Sequence, residues 1–212
     1  MSDSIRVYWG GYTEEKLAQF QKLQVGNYCA KVAIAAGFDL LGHPLTISGN
    51  ELGHKTLSMG FGYQIFNGGT LPFQQVHLIN QIARITGQRP LPIRASLAGT
   101  QNIFKAARFL SDSRTVMLVT LYWARWQGAP NIVNAAQIRA DNSKPANGHT
   151  MVFAACDQDK TDLAGNLTPF GFINSWEDNT SDHPLATLSW MSSSELLRYW
   201  KAIVYMRLDS KR

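Results

Sequence analysis

Apolar and polar positions along the chain change their spacing several times, and each change marks an element. Ser4 to Trp9 reads as a short strand, ended by Gly10 and Gly11. Thr13 then stands where a helix cap belongs, with Glu15 and Lys16 behind it and Leu17, Phe20 and Leu23 along one helical face. A polar turn, Gln24-Val25-Gly26-Asn27-Tyr28-Cys29, leads into Ala30-Lys31-Val32-Ala33-Ile34-Ala35-Ala36. That segment is apolar nearly all round, so it predicts a helix buried inside a domain, with Cys29 at its first turn.

Gly42 to Gly69 is rich in glycine with little periodicity and predicts a long ordered excursion with room for one short helix. Phe73 to Thr86 is helical in pattern and Gly87 stops it; Leu91 to Ala95 predicts a short strand and Thr100 to Leu110 a further helix. Thr115 to Trp123 is the clearest buried strand, and Arg125 to Asn147 reads as a loop-rich crossing. His149 to Asp157 and Thr168 to Ser175 are strand patterns joined by a polar loop, which predicts an antiparallel hairpin. If Cys156 stands opposite Leu167, in-register counting sets His149 opposite Asn174. A helix capped around Ser192 to Ser194 and a strand from Ala202 to Leu208 close the chain.

The 212 residues suit one domain, and 45% hydrophobic with 17% charged residues is an ordinary globular composition. No apolar run reaches the roughly 18 residues that a membrane span needs. The start lacks the basic, apolar and small-residue succession of an export signal, so a cytoplasmic location is the expectation. The net charge of +5 is scattered, without the interleaved basic and aromatic run that tracks nucleic acid, and no nucleic-acid partner is expected. His43 and His54 lack companions at metal spacing, and the glycines from Gly60 to Gly69 do not lead a strand into a helix; no metal or cofactor is expected.

Two cysteines do not make a disulfide scaffold, so both read as free thiols. Cys156 sits within a strand pattern and reads as a core residue. Taken alone, Cys29 would read likewise, but a helix N-terminus favours a thiolate, and an imidazolium brought close by the fold would favour it further. His149 opens a strand whose partner ends in Asn174-Ser175-Trp176. The Asn174 amide could orient the imidazole, Trp176 could shield that bond, and Gln24 with the Cys29 N–H could hold an oxyanion.

Gln24, Asn27-Tyr28-Cys29-Ala30, Gly148-His149 and Asn174-Ser175-Trp176, in that order, resemble the signatures of papain-like cysteine peptidases, nearest to the bacterial leader-processing and staphopain-like groups. The resemblance implies an α+β, two-lobed fold in a single domain, 1–212. A helical half, about 10–110, is led by the Cys29 helix, an antiparallel sheet half, about 111–212, carries His149 and Asn174, and a cleft between them could be lined by Trp126. It implies cleavage of a peptide or protein substrate through a thioester, with Cys29 as nucleophile, His149 as base, Asn174 orienting and Gln24 at the oxyanion. Ala30 and Glu177 stand where the family has glycine, and Gln24 is one residue nearer the cysteine than in papain. An acyltransferase of the same fold, or a binding protein that keeps the fold without catalysis, are the alternatives.

Overall fold

The strand expected at Thr115 becomes the axis of the molecule. In the computed structural model, which describes residues 5–65, 69–98, 103–124, 127–128, 130, 132, 146–175 and 187–209, β3 (Thr115–Ala124) lies inside a seven-stranded sheet whose pairings are all antiparallel. The order is β2 (Ile93–Leu97), β7 (Trp200–Leu208), β3, β4 (Ala146–Asp157), β5 (Phe170–Ile173) and β6 (Ser189–Met191), with β1 (Arg6–Tyr8) on β4. Val116 through Val119 are all inaccessible to solvent, so successive residues on both faces of β3 are covered.

Helices occupy the connections: α1 (Glu14–Ala18), α2 (Cys29–Leu40), α3 (Gly49–Thr56), α4 (Pro72–Asn80), α5 (Ile82–Thr86), α6 (Ile103–Ala107) and α7 (Ser193–Arg198). Burial of α2 extends from Ala30 to Phe38 without a break, and the helix packs on β3 and β4. Its small residues allow a close approach: a Cβ on Gly37 would lie 2.7 Å from the Met206 sulfur and 3.3 Å from a Val116 methyl. The chain is thus a mixed α+β fold with one continuous core reaching from Trp9 to Met206. β1 and β2 come from the first 110 residues, so the sheet is not confined to the second half of the chain.

Several expected boundaries move. Thr13 caps α1 by accepting from the Lys16 N–H, but the helix ends at Ala18 and leaves Leu23 exposed, because Gln21 turns inward to bond Asn174 and Thr187. The excursion after Gly42 holds α3, opened by a reciprocal cap in which Ser48 and Glu51 each accept the other's backbone N–H. The helix expected from Phe73 to Thr86 breaks at Gln81, and Gly87 ends its second part at φ 72°. The short strand β6 has no counterpart in the sequence pattern. No helix among the described residues is long and apolar enough to cross a membrane.

Candidate active site

Cys29 opens α2 and is half-buried, and α2 packs on β4, the strand that carries Thr150. Thr150 directly follows His149, so the helix opened by the candidate nucleophile packs on the same strand that carries the candidate base. A cavity of about 10 Å³, no larger than a water, is lined by Val32, Ala33, Ala36, Thr150, Ile173 and Asn174 among others, which shows how tightly α2 seats there.

The hairpin register differs from simple counting. Val152 pairs with Ile173 and Phe153 with Phe172, a shift of two residues, and an irregularity between Phe153 and Ala155 adds a third toward the loop. Extending the pairing sets Asn174 against Met151, two residues from His149 and on the same face. Because side chains repeat every two residues, a shift of two preserves the face and turns a direct pair into a diagonal one. His149 Nε2 and Asn174 Oδ1 still meet at 2.7 Å, both residues buried.

The same Asn174 oxygen accepts from the Ser175 N–H at 2.8 Å. A backbone N–H can only donate, so the amide is oriented with oxygen toward it, and His149 Nε2 must then carry a proton. Neutral His149 is therefore the Nε2–H tautomer, with Nδ1 holding the lone pair that can accept a proton. Gln21 adds a further tie, accepting from the Asn174 N–H at 3.1 Å.

The electrostatics correct one expectation. Burial pushes the Cys29 thiol pKa up, against the opposing pull of the Thr150 and Ala30 N–H groups, Lys31 and the Thr150 hydroxyl. Burial likewise carries His149 down to about 3, although its Asn174 bond favours the charged form. Desolvation outweighs the helix dipole and the neighbouring donors, so thiol and imidazole both rest neutral instead of as an ion pair.

Gln24 is engaged elsewhere: its Nε2 donates to Gly26 O and its Oε1 accepts from the Ser175 hydroxyl, both at 2.7 Å. Three residues singled out by the structure, Gln75, Thr120 and Thr150, form a buried polar cluster, with Gln75 Nε2 at 2.9 Å from Thr120 Oγ1 and 3.2 Å from Thr150 Oγ1. Polar residues interrupting otherwise apolar strand and helix patterns were the available signal. Cys156 is a buried free thiol in β4. His54, exposed on α3, stands 3.4 Å from the Tyr28 hydroxyl, and no three His, Cys, Asp or Glu side chains among the described residues group to hold a metal. Trp126, Trp176 and Glu177 lie outside the described residues. No family model matches the chain, and no curated protein matches it.

Proposed function

We propose that the chain is a papain-like cysteine hydrolase that cleaves amide bonds of a peptide or protein through a thioester at Cys29. The observation that carries the reading is the buried His149 to Asn174 hydrogen bond of 2.7 Å, with its tautomer set by Ser175, on the strand β4 against which the helix opened by Cys29 packs. His149 Nδ1 takes the thiol proton as the sulfur attacks, then gives it to the leaving amine; Asn174 keeps the ring aimed. With both groups neutral at rest, this is general-base catalysis during attack, not a preformed thiolate.

The test uses iodoacetamide and a library of unstructured peptides. Selective labelling of Cys29, with cleavage lost in Cys29→Ala and His149→Ala, is the expected result; cleavage retained by Cys29→Ala ends the reading. Added amine nucleophiles separate hydrolysis from acyl transfer, since a transferase yields the new amide. The burial-raised thiol favours one rival, a binding protein of the same fold, and a Cys29 that resists both alkylation and acylation would select it.

A further inference from the structure

Arg207, near the end of β7, sits in a corner made by two aromatic rings. Its guanidinium carbon lies 4.5 Å from the Tyr205 ring centroid and 5.4 Å from that of Phe109, and the two rings meet edge-on at 70°. Arg108 covers the same Phe109 ring at 4.8 Å, so two cations share one ring. Arg94 stands directly opposite Arg207 in the β2–β7 pairing, which puts both side chains on one face of the sheet. All three arginines are exposed.

Like charges directly opposite one another destabilise a sheet, and the chain itself relieves little of that repulsion. Asp209 reaches Arg94 only at 4.0 Å, while among the described residues Arg108 and Arg207 have no carboxylate within that distance. Asp112 is occupied nearby, accepting from the Thr115 hydroxyl at 2.6 Å and the Arg114 N–H at 2.9 Å. Stacking holds the guanidinium planes in place and leaves their N–H edges able to fork onto an anion, so little ordering remains to be done on binding.

We infer that Arg94, Arg108 and Arg207 form a docking surface for an acidic peptide segment of a partner protein. Carboxylates fit the arginine forks, and a compact group of three cations matches a short run of aspartate or glutamate. A nucleic acid would need a basic track along its backbone and free rings for its bases, whereas guanidinium groups already cover Phe109 and Tyr205. Arg207 pairs with Thr115 and His149 with Leu121, which separates the surface from His149 by about 20 Å along β3. Docking is therefore separable from the chemistry at Cys29 and does not depend on it.

Fluorescence anisotropy of fluorescein-labelled octaglutamate, titrated with the full chain, tests this. The expected result is saturable binding that weakens as added salt screens the charges. Arg207→Gln and Arg94→Gln should each weaken it about fivefold, the upper end for one exposed ion pair, with an unfolding temperature unchanged or raised because a like-charge pair is relieved. Lys16→Gln removes the same charge from α1 and should leave binding as it was. Equal weakening by Lys16→Gln overturns the inference, since net charge alone would then be the attraction, and so does a wild-type chain that leaves octaglutamate free. Labelled octathymidylate bound more tightly through the same arginines overturns the choice of partner in favour of nucleic acid.

Discussion

The Asn174 carboxamide oxygen stands 2.7 Å from His149 Nε2 although the two residues are diagonal neighbours across the hairpin and not a direct pair. Asn174→Ala removes the acceptor that fixes the ring and its tautomer. Acylation of Cys29 by p-nitrophenyl acetate should fall about a hundredfold, in the range that positioned acid–base groups contribute, and iodoacetamide alkylation should fall with it, since both reactions need His149 to take the thiol proton. ¹⁵N chemical shifts of His149 should show the Nε2–H tautomer in the wild type and a mixture in the variant.

Stability should rise with pH in two windows. His149 is lowered to about 3 in the fold, so between there and the ordinary histidine value of 6.5 the unfolded chain holds a proton the native state lacks, and stability is lost as pH falls. Lys31, also wholly buried, is lowered to about 8 from 10.5, so stability climbs again as pH rises between those values. Each group contributes at most about 1.4 kcal/mol per pH unit. Urea unfolding across pH reads both windows, and His149→Gln should flatten the acidic one alone.

Thr150 pulls the Cys29 thiol pKa down through its backbone and its hydroxyl, against burial, and that hydroxyl lies 2.9 Å from the one on Thr120. Gln75 sets the direction of this cluster: its amide faces the Thr70 carbonyl, which only accepts, so the facing atom is Nε2 and it donates to the threonines as well. Thr150→Val keeps the shape and removes the hydroxyl. The pH midpoint of Cys29 alkylation should move up by about one unit, a hydrogen bond to a charged group being the loss, and Thr150→Ser should restore it.

Replacing helical glycine by alanine ordinarily gains up to about 1 kcal/mol. In α3 the sign reverses. A Cβ on Gly49 would sit 2.4 Å from Val32 Cα, and one on Gly53 would sit 2.5 Å from the Tyr28 ring. The first neighbour is backbone; the second is packed edge-on to His54 at 5.2 Å. Gly49→Ala and Gly53→Ala should each cost about 1–3 kcal/mol in denaturant unfolding and slow Cys29 labelling, because both press on the start of α2.

Local physics was legible in the order of residues. Thr13 as a cap, Cys29 at the opening of an apolar helix, the stop at Gly87 and the buried run from Thr115 follow from propensity and periodicity, which act over a few neighbours. That His149 and Asn174 share a face was also readable, since face depends only on parity. Distances and charge were not. The two-residue register shift, the irregularity near Ala155, the capture of Gln24 Oε1 by Ser175, and the burial that holds thiol and imidazole neutral all depend on groups far apart in sequence. Only packing brings those groups together, and desolvation and hydrogen-bond competition are then settled by the whole fold.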